Sequence, residues 1–409
     1  MSSACDKKPR PTGLHALGQS PLPPDLVDAM LSWYVEMRRD LPWRRTRDPY
    51  AILVSEIMLQ QTRVETVINR YGSFLERFPT IADLAIASLD DVLAEWSGLG
   101  YYRRPRLLHR LATVVVDTHG GEIPDTLEEL LELPGVGPYT SAAVGSIAFG
   151  IPALSIDGNV ARIMCRLAGI ADDTRRSKVR QRLEAMAADA IECHPPGTFN
   201  QAIMELGARV CTPRSPRCDQ CPCSSYCEAH ELGIEEQIPP RRSKLVKAVT
   251  EYAAVIEDNG RLLLFRGQRP SLVSDMWEFP TLDSRLADTS SRSLTEKPAS
   301  SHSRAQEAKL SRYIKEQLGW SVRLGPKLGE IRHGMTDRRI SCHVYEASLS
   351  GSQTTMTGAP TGLETSDHNI PDSGWFTIEE VMTLALAASA RKTLTTLLDI
   401  DLTTAHNPG

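Results

Sequence analysis

No stretch of this 409-residue chain holds about twenty consecutive apolar residues, so it offers no candidate for a membrane-spanning helix. The first twenty residues, Met1 to Ser20, lack the apolar core of a secretory signal. They read as a disordered tail without a targeting segment, and a cytoplasmic location is the expectation. An excess of positive charge is also missing. The net charge is −5, whereas a domain that binds nucleic acid by charge alone is usually basic, so charge does not by itself point to DNA. Basic clusters occur only locally, as at Arg103, Arg104, Arg106 and Arg110 or at Arg175, Arg176, Lys178, Arg180 and Arg182. Such clusters are more often solvated helix faces than contacts. An even cysteine set is lacking too: there are nine, and five fall between Cys211 and Cys227. That crowding reads as a metal or cluster site in a reducing compartment, not a disulfide framework.

What is present is an ordinary globular composition, 41% apolar and 24% charged, long enough for two or three domains. From about Leu22 to Glu236 apolar residues recur at helical spacing, as at Leu26, Met30, Trp33, Tyr34 and Met37. Pro239-Pro240 and the basic residues after them read as a linker. Beyond Thr250, Tyr252 to Glu257 and Arg261 to Arg266 are strand candidates joined by the hairpin signal Asp258-Asn259-Gly260. Further strands are predicted at Val322–Leu324 and Ile340–Ala347, and helices at Arg304–Leu318 and Ile378–Leu398. Residues 283–303 and 350–373 read as loops. The expected division is a tail (1–20), a helical domain (21–236) with a cysteine loop (207–230), a linker (237–250) and a smaller α+β domain (251–400).

Three motifs carry chemistry. Cys211, Cys218, Cys221 and Cys227 are spaced C-x6-C-x2-C-x5-C. Four thiolates on short loops suit either tetrahedral zinc or an iron–sulfur cluster, with a structural role; Cys223 is surplus. Leu133-Pro134-Gly135-Val136-Gly137 separates two helices. Its glycines permit positive φ and close backbone approach, and the following helix offers free N–H groups to a phosphate. A plain turn between packed helices is the bland alternative. Finally there are two carboxylates. Asp157 precedes the helix Val160–Leu167, where an N-cap is the ordinary role. Glu56 follows the apolar run Tyr50 to Val54, so it is either an outward helix residue or a buried acid with a raised pKa, as a general acid requires.

Together these residues resemble the MutY adenine DNA glycosylases of the endonuclease III, helix-hairpin-helix superfamily. The likeness runs from Leu41-Pro42-Trp43-Arg44 through the Glu56 segment, Gly98-Leu99-Gly100-Tyr101-Tyr102, the hairpin, the Asp157 segment and Phe199-Asn200-Gln201 to the cysteines, roughly the first 230 residues. It implies a mainly α fold with an iron–sulfur loop and a smaller Nudix-like domain that recognises 8-oxoguanine. It also implies one [4Fe-4S] cluster on Cys211, Cys218, Cys221 and Cys227. The implied partner is duplex DNA with A:8-oxoguanine or A:G mispairs, bound by a monomer with no membrane involvement. Glu56 would protonate N7 of a flipped adenine, and Asp157 would stabilise the oxocarbenium-like sugar. Tyr139 and Asn159 would support these carboxylates, Trp43, Arg44 and Gln201 would line the adenine pocket, and Gln61 and Tyr101 would wedge into the stack. Strand-cleaving relatives carry a Lys immediately before the Thr of the second hairpin helix. Here Tyr139 precedes Thr140, so no amine for a Schiff base is expected there.

Two features depart from the pattern. Between Trp277-Glu278-Phe279-Pro280 and Leu318-Gly319-Trp320 only scattered Glu307 and Glu316 appear, so Nudix pyrophosphatase activity is not expected. Where relatives carry Phe-Ser-His to read 8-oxoguanine, this chain has Met335-Thr336-Asp337. Thr336 can replace the Ser hydroxyl, whereas Asp337 brings an anion near a phosphodiester. The competing readings are a superfamily glycosylase for thymine mispairs or oxidised pyrimidines and a non-enzymatic iron–sulfur DNA-binding protein. The Gln60-Gln61 pair and Tyr139 argue against the first, and the joint presence of Glu56 and Asp157 against the second.

Overall fold

The computed structural model describes residues 20–240, 246–266, 276–284, 299–335, 338–350 and 372–402. The described residues form two compact units, one within 1–95 and 103–243, the other within 96–102 and 244–409.

The first unit is helical. Its described helices are α1 (Pro24–Met37), α2 (Pro49–Leu59), α3 (Val64–Arg77), α4 (Ile81–Ile86), α5 (Leu89–Glu95), α6 (Arg103–His119), α7 (Leu127–Glu132), α8 (Pro138–Ala148), α9 (Gly158–Leu167), α10 (Ser177–Cys193), α11 (Pro196–Arg209) and α12 (Glu228–Glu231). The start of α2 is fixed by local chemistry. Asp48 accepts hydrogen bonds from the Tyr50 and Ala51 N–H groups, and Pro49 sits at the first helical position. Every residue of α2 from Tyr50 to Met58 is buried. A helix apolar all round belongs in the centre of a protein, and α2 carries Glu56 there with it. A second core forms where α1, α9, α10 and α11 meet through Leu26, Met30, Met164, Leu183, Phe199 and Leu206. Each such side chain contributes roughly 2 kcal/mol by leaving water.

Helices α7 and α8 flank the hairpin. Gly135 has φ +82, and a Cβ there would lie 2.8 Å from Leu107 Cβ, so both backbone and packing demand glycine. Gly137 differs from expectation: its φ is −110, an extended N-cap that other residues can adopt, with open space where a Cβ would stand.

The second unit is α+β. Its elements are β1 (Lys247–Asp258), β2 (Arg261–Arg266), β3 (Trp277–Glu278), β4 (Thr281–Asp283), α13 (Ala299–Leu318), β5 (Val322–Met335), β6 (Arg338–Leu349), β7 (Asp372–Phe376), α14 (Ile378–Thr383) and α15 (Ala388–Leu397). The strand order is β3-β2-β1-β6-β5, with β4 added to β1 and β7 to β2. β1 runs parallel to β6 and antiparallel to β2, and Asp258 pairs with Arg261 across a two-residue turn. Asn259 (φ 51) and Gly260 (φ 73) give that turn the left-handed conformation a tight hairpin needs. Alternation along β1 sends Ala253 and Val255 to a core shared with Ala390 and Leu394 of α15, and Ala254 and Ile256 to one shared with Leu310 and Ile314 of α13.

Some boundaries differ from the sequence expectation. β1 starts within the span read as linker, α13 starts within the span read as loop, and β5 is far longer than Val322–Leu324. The single helix expected over 378–398 is two, because residues 384–387 leave helical geometry and Leu386 bridges Trp277. Residues 96–102 group with the second unit, not the first; periodicity is silent about which core a short non-helical segment joins.

Gly135→Ala combines a left-handed backbone with a steric conflict. It should destabilise the folded protein by roughly 1–3 kcal/mol, measured by urea unfolding, and an unchanged midpoint would show that the turn is not held as described.

Candidate active site

Glu56 reaches the wall of a cavity of roughly 210 Å³. Its residue is 6% exposed, and it accepts a hydrogen bond of 2.7 Å from the Tyr139 hydroxyl at the start of α8. Burial raises its pKa from 4.5 to about 7. The Tyr139 hydrogen bond and the charge of Arg44 oppose that rise, while the nearby Asp157 adds to it. Tyr139 is held as a neutral phenol, its pKa raised well above 10.0 by burial and by the charges of Glu56 and Asp157. Its hydroxyl also lies 3.9 Å from the Met204 sulfur.

Asp157 caps α9 and lines the same cavity. One oxygen accepts the Asn159 N–H (2.8 Å) and the Val160 N–H (2.7 Å), and the other accepts the Asn159 side-chain amide at 2.9 Å. Burial raises its pKa, while the two backbone donors, Arg162 and the Asn159 amide stabilise the anion. Asn159 is braced in turn by Arg162, whose Nη2 donates to Asn159 Oδ1 and to the Gly207 carbonyl, both at 2.9 Å. Gly207 permits this close approach, since a Cβ on it would stand 2.7 Å from Asn159 Cβ.

A third wall is ionic. The Glu205 side chain on α11 is fully buried and accepts from Arg39 Nε, Arg39 Nη2 and Arg44 Nη2, each at 2.8 Å. Burial works against its charge, but the hydrogen bonds from Arg39 and Arg44 outweigh it and bring its pKa down to about 2. The Arg44 guanidinium also lies over the Tyr34 ring, and the Tyr34 hydroxyl donates to Gln201 Oε1 at 2.6 Å. Trp43 meets Tyr71 edge-to-face beside them.

The cavity thus unites Trp43, Arg44, Glu56, Tyr139, Asp157, Asn159 and Gln201. Sequence reasoning missed Arg39, Glu205 and Met204. The signal was the spacing on α11: Gln201, Met204, Glu205 and Ala208 recur at three and four residues on one face. A larger depression of roughly 490 Å³ carries only Glu184 and Glu192 as charged lining residues and gathers none of the candidate groups.

The remaining candidates lie elsewhere. Gln61 is exposed in the turn after α2 at φ 58, and Tyr101 is 45% exposed at φ 51. Gly135 and Gly137 form the hairpin. Thr336 and Asp337 lie outside the described residues; β5 and β6 pair up to Met335 and Arg338. The four cysteines are unbridged and sit in one loop between α11 and α12. Each of Cys211, Cys218, Cys221 and Cys227 lies close enough to at least two of the others to interact electrostatically. Buried Arg166 of α9 donates to Cys211 Sγ at 3.2 Å, and Arg162 donates to the Cys211 carbonyl at 2.8 Å. Four converging thiols with cations behind them suit a group that binds thiolates. Cys218, His230 and Glu235 form a tighter trio, but it contains one sulfur and a carboxylate already engaged with His230 at 2.7 Å.

Residues 54–188 match the model of the HhH-GPD superfamily of base excision DNA repair proteins. The chain is 35% identical over 425 residues to an adenine DNA glycosylase of Homo sapiens, covering 89% of this chain and 72% of that one. It is 36% identical to one of Rattus norvegicus, covering 89% and 76%. Among solved structures, a thermostable thymine-DNA glycosylase is similar, with 32% identity and a TM-score of 0.47 over 50% of this chain and 95% of that one. The chain belongs to the adenine DNA glycosylase family. It is a DNA N-glycosylase of base excision repair, and two carboxyl groups, Glu56 and Asp157, line its cavity.

Two expectations follow for this glycosylase. If Glu56 is the acid it must carry a proton, and single-turnover adenine release should then fall about tenfold per pH unit above about 7. The same raised pKa makes a stability contribution that is complete below pH 4.5 and lost as pH rises through about 7, a swing of roughly 3 kcal/mol. Glu56→Gln should therefore abolish release while gaining stability over the parent between pH 5 and pH 8 in urea titrations; a constant difference would contradict the burial. Gly207→Ala should push Asn159 off Asp157 and slow release at least tenfold with the Glu56 pH midpoint unmoved, whereas an unaltered rate would show that the Asn159 brace is dispensable.

Proposed function

We propose that this glycosylase removes adenine mispaired with 8-oxoguanine or guanine, and that the cavity is the pocket for the flipped adenine. The observation that carries this is the pair of buried carboxyl groups on one cavity with different partners: Glu56, with a pKa of about 7 and a single phenol donor described beside it, and Asp157, surrounded by donors that stabilise its anion. Breaking an N-glycosidic bond leaves negative charge on the base and positive charge on the sugar. Glu56 gives its proton to adenine N7 and the base departs neutral. Asp157 keeps its anion toward the sugar, and Asn159 holds that carboxylate in place. Tyr139 orients the acid by donating to Oε2, which leaves the other oxygen of Glu56 to carry the proton. Trp43, Arg44 and Gln201 bound the base.

The reaction stops at base removal. The described cavity lining includes Arg39 and Arg44 but no lysine, and an arginine guanidinium does not form a Schiff base at neutral pH. Gln61 and Tyr101 wedge into the duplex, Gly135 and Gly137 present the α8 N-terminus to a phosphate, and Thr336 faces the oxidised guanine. Cys211, Cys218, Cys221 and Cys227 hold one [4Fe-4S] cluster, which ties together a loop that has little core of its own. The protein acts as a monomer.

A labelled A:8-oxoguanine duplex under single-turnover conditions tests this. Adenine should be released, with strand breaks appearing only after alkali. Release from thymine mispairs or oxidised pyrimidines instead, or breaks without alkali, would overturn the assignment.

A further inference from the structure

The turn after α2 is strained where a strain-free residue would be expected. The Thr62 N–H donates to the Leu59 carbonyl at 3.3 Å, closing a four-residue turn. Gln60 has φ −58 and ψ 109, and Gln61 has φ 58. This is the type II pattern, whose third position calls for glycine or asparagine. Glutamine stands there, exposed. A left-handed non-glycine residue persists only when its surroundings over-determine it.

Arg104 is what over-determines it. The sequence places this residue in a basic cluster of the solvated kind, yet it is 8% exposed. Its Nη1 donates to the carbonyls of Ile57 (2.9 Å), Met58 (2.7 Å) and Gln60 (2.6 Å), and its Nη2 to Thr62 Oγ1 at 2.9 Å. The Gln60 carbonyl belongs to the peptide plane that sets φ of Gln61, and Thr62 follows Gln61 directly. The guanidinium therefore grips the chain on both sides of Gln61 and leaves its side chain to solvent. Gln60 Nε2 adds a bond to Thr140 Oγ1 at 3.3 Å, tying the same turn to α8. For α6 itself this arginine is a poor choice, since it puts a cation in the first turn, against the helix dipole. Its charge instead meets the carbonyl end of α2.

We propose that Arg104 is a positioning residue for the adenine glycosylase reaction: it holds Gln61 in the left-handed turn from which its side chain is presented to the duplex. This rests on the functional reading above, in which Gln61 is a wedge. Arg104 lies three residues after Tyr101, the other proposed wedge, so its helix continues the segment that carries it.

The test uses the full-length, cluster-loaded protein with Arg104→Lys, which keeps the charge and loses the fork, and Thr62→Val, which removes the Nη2 contact together with the 3.4 Å hydrogen bond from the Thr62 hydroxyl to the Gln60 carbonyl. Hydrogen exchange at the Thr62 amide should rise at least tenfold in Arg104→Lys and to a lesser extent in Thr62→Val, while the α9 amides remain as in the parent. Single-turnover release from an A:8-oxoguanine duplex should fall about tenfold with the same pH midpoint. In a Gln61→Gly background Arg104→Lys should change that rate less than about twofold, because its effect runs through Gln61. Unchanged exchange in both variants, multiplicative rate effects in the double variant, or a moved pH midpoint would each overturn the proposal. If the parent releases no adenine, the functional reading falls, and exchange at Thr62 still decides whether Arg104 holds the turn.

Discussion

Glu56 is a carboxyl group on a helix that is buried on every side, and much of the first unit follows from accommodating it. The apolar sequence of α2 drives the helix inward, and Asp48 with Pro49 fixes where it starts. Once inside, the carboxyl group loses hydration, and loss of hydration favours its neutral form. Tyr139 from α8 supplies a hydrogen bond to it. The hairpin that precedes α8 therefore does two jobs: it offers a free helix N-terminus and delivers the phenol to the acid. An outward-facing Glu56 would leave Tyr139 with no proton donor to orient.

Two glutamates on buried helices reach opposite ends of the titration range around one cavity. Among the described residues no guanidinium hydrogen-bonds Glu56, and its pKa is shifted to about 7. Glu205 is gripped by Arg39 and Arg44 and falls to about 2. The residue type is the same, and the partners decide which one can give up a proton near neutral pH. Arg44 belongs to both settings. Held against Glu205, its charge is largely engaged there and only moderates the pKa of Glu56.

The helix α9 joins chemistry to scaffold. Its N-terminus carries Asp157 and Asn159, and one turn along each, Arg162 and Arg166 reach the cysteine loop. Arg162 links that loop to the brace of the carboxylate through two hydrogen bonds, one to the Cys211 carbonyl and one to Asn159 Oδ1. Strain is concentrated as well. Gln61 and Tyr101 are among five described non-glycine residues with positive φ, and both are exposed side chains proposed to enter the duplex. Asn259, a third, serves an ordinary hairpin.

The sequence alone determined the helical first part, the α+β second part and the hairpin, because these depend on periodicity, turn residues and short spacings; it singled out Glu56 and Asp157 through the family resemblance. It also singled out Trp43, Arg44, Tyr139, Asn159 and Gln201, which the fold brings to one cavity. Tertiary structure decided what short-range pattern cannot encode. Whether Glu56 faced solvent or core depended on what packs around α2. Glu205 looked like one more charged helix residue until two arginines from the α1–α2 connection closed on it. Arg104 read as surface charge, because a run of arginines does not state which of them finds four oxygen acceptors more than forty residues earlier in the chain. Gly137 needed no left-handed backbone after all, whereas Gln61, with no glycine to signal it, did. For Glu56, Glu205, Arg104 and Gln61 the deciding partner is distant in sequence, and only folding makes it a neighbour.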